Sequence, residues 1–598
     1  MNRRIFKETL PELAVAVLFI ISGCAKVSSP SGGPRDKEPP VILKSEPLPG
    51  TKNFREKEIV VTFNEFIVLD NINEKFMMSP PAKTKPRIFI RGKSLHVQFQ
   101  DELKDSTTYT LYFQDAIRDL NEGNPIDNYQ HVFSTGPVID SLSVTGNVYN
   151  AFNLEVPENT LVLLYKNLAD TSVKKQLPDY ITRVEKNGEF RIDNVSGGKY
   201  RLYALKDADN SKNFNLPNEA FAFSGEPVII SPDKNYLPKI RDSVVVKSGE
   251  QAKAEKPPVE GEYKLFLFEP EKKQRYLTSS GRKMPYQLLY TLSLPPDSMK
   301  FKLFIPDAPA GSYFIEKNVT KDTITVWLTD STLYSKPQIE TIVTFPFTDT
   351  LGTDTYKTDT IMMRYLAPRA PRVKVRRNTY KFSTGITGGS YAPVKLILFR
   401  SETPFRQPDT SRILLYEILK EERKRIPYTI YRDTANSCLC VMTADLQQGN
   451  SYLFIADSAA FGNIYGENND STAIRFNVRL PDSYGKLTIT TENYQGRAVI
   501  QLLGSDEKLV RETLMKEPGV IEFPFLEKGL YRLKVIYDLN GDGKWTTGDF
   551  SAGRQPEPVS YYPSELDVKA NWEINQKWDI GKMYYKEQKL RRAQKTTR

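Results

Sequence analysis

Histidine, cysteine and tryptophan are scarce in this 598-residue sequence, which has two, three and four of them. Imidazole is the usual metal ligand and the usual proton carrier near neutral pH, so two histidines argue against most metal-dependent and acid–base catalysis. Three cysteines make neither a disulfide framework nor a four-ligand zinc site. The sequence contains no Gly-x-Ser-x-Gly, no His-Glu-x-x-His and no phosphate loop. Helix-period segments are also few. The clearest covers Ile413 to Lys424 (ILLYEILKEERK) and is expected to be a helix.

What is present is a palette for strands: 32 Tyr and 31 Phe, with 39% hydrophobic and 26% charged residues. Such a composition excludes wholesale disorder. At about 150 residues per domain the length suggests roughly four domains, or five small β-modules. Runs such as Ile59–Phe63, Leu95–Phe99 and Tyr109–Phe113 lie between Pro, Gly, Asn and Asp punctuation, as sandwich strands joined by tight turns do. The expected fold class is all-β, a tandem array of β-sandwiches.

The first residues read as a targeting segment. Arg3, Arg4 and Lys7 precede the apolar run Leu13–Ile21, whose nine residues are too few to span a bilayer, where about 20 are needed. The run ends in Ile21-Ser22-Gly23-Cys24, which resembles the lipobox of bacterial lipoproteins. That resemblance implies cleavage after residue 23 and lipidation of the Cys24 thiol, and a Pro/Gly/Ser-rich tether follows (24–38). The formal charge falls from +10 to +9 on cleavage, because residues 1–23 carry three basic and two acidic side chains. Ala25 after the cysteine, by resemblance to other lipoproteins of two-membrane bacteria, implies transport to the outer membrane. Residues 25–29 hold no acidic cluster, which favours a periplasm-facing anchor over the cell surface.

Residues 39–137 resemble a bacterial Ig-like domain of the kind found in surface-layer and envelope proteins. The landmarks are Pro39-Pro40, Ser45 to Thr51, Phe63-Asn64-Glu65, Thr107-Thr108-Tyr109, Asp119 to Pro125 and Phe133 to Gly136. They recur 343 residues later: Leu103, Tyr109, Ala116, Gly123 and Phe133 correspond to Leu446, Tyr452, Ala459, Gly466 and Phe476. A second repeat, offset by 331, relates Tyr200-Arg201-Leu202, Asp207, Asp209 and Phe214 to Tyr531-Arg532-Leu533, Asp538, Asn540 and Trp545. Its units resemble the transthyretin-like or carboxypeptidase-regulatory-like sandwich, through Gly146 to Tyr149, Asn187 to Phe190 and Gly197 to Leu202. The expected order is A–B–X–A′–B′: A 39–137, B 138–245, a linker 246–260, X 261–370, A′ 371–480, B′ 481–580 and a basic tail 581–598.

Several residues are candidates for chemistry. His96 and His131 sit in strand patterns and read as strand histidines, not bases. Cys438 and Cys440, flanking Leu439, are expected on opposite faces of a strand as free thiols, since nothing nearby completes a ligand set. The spacing Asp538-x-Asn540-x-Asp542-Gly543 with Asp549 puts oxygen ligands at loop positions 1, 3, 5 and 12 and Gly at 6. It resembles a calcium loop, with the Lys544 carbonyl at position 7, and a structural Ca2+ is expected there. In B, Lys212 replaces the glycine, and that loop is expected to be ion-free. The tail Lys582–Arg598, with seven basic residues and one acid, suits anionic lipid or an acidic partner.

Together these features point to a non-enzymatic, lipid-anchored scaffold or binding module of the envelope. Within that class it reads as an accessory subunit of an outer-membrane assembly or secretion machine with protein partners. A surface adhesin or glycan-binding lipoprotein is the alternative, and a cell-wall enzyme is a distant third. Nucleic acid is not an expected partner for an exported chain.

Overall fold

The computed structural model describes residues 36–231, 262–271, 274–296, 300–349, 353–366, 379–386, 390–391, 396–420 and 422–582. Cys24, the expected linker 246–260 and residues 583–598 of the basic tail lie outside them. Strands make up 49% of the structure and helix 4%, and the chain is all-β.

Alternation accounts for the strands one by one. In Glu58–Phe63 every second residue is buried, so Ile59, Val61 and Phe63 enter the core of module A while their neighbours face outward. Module A pairs Ile42–Glu46, Glu58–Phe63, Ser94–Gln98 and Arg87–Arg91 in one sheet. The facing sheet is Met77–Ser79, Thr108–Gln114 and Tyr129–Ser134. The same landmarks support A′. Tyr109 accepts a hydrogen bond from the Lys104 amide (2.8 Å) and stacks on Phe133, and Tyr452 accepts one from Gln447 (2.7 Å) and stacks on Phe476. Gly123 and Gly466 hold φ of +78° and +87°, where a side chain would be strained.

Modules B and B′ share one topology. In B, Glu189–Val195, Leu142–Asn150 and Glu262–Leu267 form one sheet, and Tyr180–Arg183, Leu161–Tyr165, Gly198–Leu205 and Phe221–Phe223 form the other. In B′ the same order runs Val520–Leu526, Gly485–Glu492, Glu573–Asp579, and then Leu509–Met515, Ala498–Gly504, Gly529–Tyr537, Val559–Tyr561. In both, the last strand lies parallel to the first, with Thr145 opposite Glu262 and Lys486 opposite Glu573. This corrects the expected start of X at 261: strand Glu262–Leu267 completes module B. Such parallel pairing joins distant segments and leaves no local sequence signal.

The expected helix at Ile413–Lys424 is also overturned. Ile413–Leu419 and Glu422–Arg425 form an antiparallel hairpin turning at Lys420, whose φ is +55°. Ile413, Leu415 and Glu417 are buried in alternation, and the Glu417 carboxylate accepts from Asn450 Nδ2. The apolar residues fit both periods, and the neighbouring strand Ser451–Ala456 decides for the sheet.

Neighbouring modules are joined by direct contacts. The Ile181 amide of B donates to Ser79 Oγ of A, Arg183 Nη2 to the Glu74 carbonyl, and Asn194 Nδ2 to Thr110 Oγ1. B and B′ pack face to face through Tyr149, Leu154, Val499, Leu503, Ile536, Val559 and Tyr561. Phe550 of B′ also lies edge-on to Phe221, at 4.9 Å. Each such side chain taken out of water contributes about 1.5–3 kcal/mol. X meets A′ through Tyr286 stacked on Tyr465 at 4.1 Å, and Arg479 pairs with Glu527 where A′ meets B′.

Candidate functional site

The polar loops after Gly198–Leu205 and Gly529–Tyr537 are held by many side-chain-to-backbone hydrogen bonds, and they are built alike. Asp207 Oδ2 accepts the Lys212 amide (3.0 Å), and Asp538 Oδ2 accepts the Gly543 amide (3.1 Å). Asp209 Oδ1 accepts Ser211 N and Asn540 Oδ1 accepts Asp542 N, each at 2.9 Å. A buried glutamate closes each loop from its far side. Glu219 accepts the amides of Ala208, Asn215 and Leu216, and Glu557 accepts those of Leu539, Asn540 and Thr546. Lys212 takes φ of +60° where Gly543 takes +75°, so the lysine is tolerated in the left-handed region that the glycine adopts freely.

The charges differ. In B, carboxylate oxygens of Asp207, Asp209 and Glu219 lie within 4.8 Å of one another. Asp207 Oδ1 is buried with no hydrogen-bond partner, and burial, followed by the Asp209 and Glu219 charges, raises the Asp207 carboxyl above its usual range. The Ser211 hydroxyl and the Asn215 amide hold Asp209 down at about 2. In B′ the residue equivalent to Asp209 is the neutral Asn540, Asp538 Oδ1 is satisfied by Gly541 N at 2.7 Å, and Arg497 Nε stands 3.5 Å from Asp538 Oδ2. Strand register puts Asn159 of B where B′ has Arg497, since Leu161 pairs with Leu205 as Val499 pairs with Ile536. Asp207 and Lys212 also line a cavity of about 570 Å³ in the seam between A and B, walled by Met77, Leu161 and Ile181.

The expected ligand set Asp538, Asn540, Asp542, Lys544 and Asp549 is not assembled. Asp549 Oδ1 accepts from Ser551 N and Ala552 N in a separate turn closed by its backbone bridge to Arg554. Asp542 Oδ1 accepts the Lys544 amide, and both oxygens of Asp538 are occupied by backbone donors. Glu557, which sequence spacing missed, is the carboxylate that closes this loop. Its signal was available: Glu219 and Glu557 are related by the offset of 338 that also relates Leu161 to Val499.

The other candidates are embedded in strands. His131 is fully buried, and burial lowers its pKa to about 4, so it stays neutral. His96 stacks on Phe89, with Nδ1 3.0 Å from Glu58 Oε1. Both free thiols are pushed up to about 12 by burial and are poor nucleophiles. Their expected placement on opposite faces of one strand is corrected as well, because only Cys440 lies on the strand, and two residues that far apart on one strand would share a face. Cys440 fills the A′ core and Cys438 lies in the turn before the strand Leu439–Ala444. Among the described residues no helix is long and apolar enough to cross a membrane.

Residues 36–135 match the family model of the bacterial Ig-like domain. No curated protein matches the chain in sequence. Among solved structures, the Bacillus anthracis TIE protein is similar at 12% identity over 51% of this chain and 57% of its own, with a TM-score of 0.12. Native alpha-2-macroglobulin of Escherichia coli, domains MG0-NIE-MG1, shares 12% identity over 50% of this chain and 98% of its own (TM-score 0.18). The S-layer protein rSbsC shares 10% over 84% and 66% (TM-score 0.12). The chain thus spans little more than half of the first of these. Module A is an Ig-like domain by sequence as well as by fold.

Proposed function

We propose that the protein is a non-catalytic, multidomain binding scaffold of the bacterial envelope, anchored through lipid on Cys24 in the outer membrane and facing the periplasm. The observation that carries this reading is the packing of B against B′. The seven apolar residues of that interface bring modules more than 300 residues apart into one body, which suits holding partners and has no evident use in catalysis. The Ig-like domain at 36–135 is a non-catalytic kind of domain and supports the same reading. Service as an accessory subunit of an assembly or secretion machine fits this platform. A structural divalent cation belongs, on this reading, to loop B, where three carboxylates gather without an arginine.

Affinity purification of the intact lipoprotein from membranes tests the proposal. A protein partner should be recovered in stoichiometric amount, and Cys24→Ala should release the protein from membranes. A reproducible hydrolytic activity of residues 25–598, abolished by one Asp or Glu substitution, would overturn it. Protease added to whole cells should spare the protein, and efficient shaving would favour the adhesin reading.

A further inference from the structure

Large apolar side chains are exposed together at one end of module A: Val41 (55%), Phe66 (54%) and Leu120 (56%). Backbone bonds hold their loops side by side. Asn64 N donates to the Val41 carbonyl (3.0 Å), the Val41 amide donates to Asn64 Oδ1 (2.7 Å), and Leu120 N donates to the Phe66 carbonyl (3.0 Å). Lys93 Nζ donates to the Asn64 carbonyl and lies 5.4 Å from the centre of the Phe66 ring. Apolar residues clustered at loop tips are costly in water unless something covers them.

Where the chain enters this module identifies what covers them. Asn124 Nδ2 donates to the carbonyls of Asp36 and Glu38, which fastens the start of module A beside Leu120. Residues 25–35 alone separate Asp36 from Cys24, and that length of chain spans at most about 40 Å. We infer that this end of module A docks on the bilayer, with Val41, Phe66 and Leu120 inserted among the headgroups. The inference rests on the lipid anchor at Cys24 proposed above.

The charges around the patch select the lipid. Asp36, Glu65 and Glu122 rim it, Asp119 lies buried beneath with its carboxylate bound by the amides of residues 122–124, and Glu65 is raised by burial and by the Asp119, Asp36 and Glu122 charges. A carboxylate rim repels anionic headgroups and accepts the ammonium of zwitterionic ones, while Lys93 beside Phe66 faces the lipid phosphate.

The test uses the intact lipoprotein in vesicles of phosphatidylcholine doped with a diazirine phosphatidylcholine, followed by flotation and peptide mapping. Adducts should concentrate on the peptides holding Val41, Phe66 and Leu120 relative to Val319 of X, which is 99% exposed. They should fall when phosphatidylglycerol replaces most of the phosphatidylcholine. The double variant Phe66→Glu, Leu120→Glu should lose those adducts and still float. Flotation with adducts spread evenly, or absent from these peptides, overturns the docking and leaves the anchor standing. Failure of the unmodified protein to float overturns both.

Discussion

Loops 207–219 and 538–557 occupy the same place in two copies of one sandwich, and they handle buried carboxylates differently. Both use an aspartate to cap the turn and a distant glutamate to collect amides from its far side. Loop B′ replaces one acid by Asn540 and brings Arg497 to another, so its remaining charges are met inside the protein. Loop B keeps three carboxylates within 4.8 Å, has Asn159 in place of the arginine, and leaves Asp207 Oδ1 without a donor. The backbone scaffold of such a loop is therefore separable from its electrostatics: hydrogen bonds to amides are retained while the charge balance changes.

The most severe test of the comparison removes the glutamates. Glu557 is 5% exposed and holds three amides, and an unsatisfied buried donor costs about 1–3 kcal/mol. Glu557→Ala should therefore lower stability by several kcal/mol, read from denaturant midpoints. Glu219→Ala should cost less, because losing the Glu219 charge also relieves the repulsion that raises Asp207. Equal losses at the two positions would break the claim that loop B is electrostatically frustrated.

A second contrast lies on the interface that joins the two modules. Position 203 of B is Tyr, and the equivalent position in B′ is Lys534, which is 1% exposed with its ammonium over the Phe152 ring. Burial lowers the Lys534 pKa from 10.5 to about 7. Between those values the unfolded chain binds a proton that the folded one does not, so stability rises with pH across that window. Below about pH 7 both states are protonated and the full penalty of burying the charge is present. Lys534→Met should flatten this rise in the melting temperature between pH 7 and pH 10 and stabilise the protein most at the acid end. An unchanged slope would mean that Lys534 is solvated.

Much of this was legible in the sequence, and the failures have physical causes. Strand alternation and the two repeat offsets identified the sandwiches, because side-chain period and turn glycines are local properties. The Ile413–Lys424 segment satisfied the helical period only because its apolar residues are contiguous, and pairing with Ser451–Ala456, a non-local fact, set its conformation. Asp549 matched a spacing rule yet bonds within its own turn, whereas Glu557 reaches the loop from 19 positions beyond Asp538. Linear spacing sees ligand-like residues and does not see where the chain turns between them.

Calcium sharpens the comparison at the next level of effect. A divalent cation that binds only the folded loop stabilises by about 2.7 kcal/mol at a hundredfold excess over Kd. Melting of residues 25–598 in millimolar calcium against chelator should shift through loop B: Asp207→Asn should abolish the shift, and Asp538→Asn should leave it in place. The opposite pattern would restore the loop B′ assignment that spacing alone suggested.

The smallest expected effect comes from converting one loop into the other. Arg497 is about half exposed and stands 3.5 Å from a buried Asp538 whose two oxygens already accept backbone amides, so Arg497→Asn by itself should lower the melting temperature only slightly. Its consequence appears with a second change. Asn540→Asp in the same chain recreates in B′ the acids of loop B, with Asp538 and Glu557 already in position, while Arg497→Asn removes the cation that served them. Since the two loops share their backbone bonds, the acids should then repel without a counter-ion. The double variant should lose stability in chelator beyond the sum of the single changes, because residues sharing one charge network couple. Calcium should restore most of that loss. A double variant that melts as the sum of its parts, with and without calcium, would show that Arg497 and Asn540 do not account for the difference between the loops.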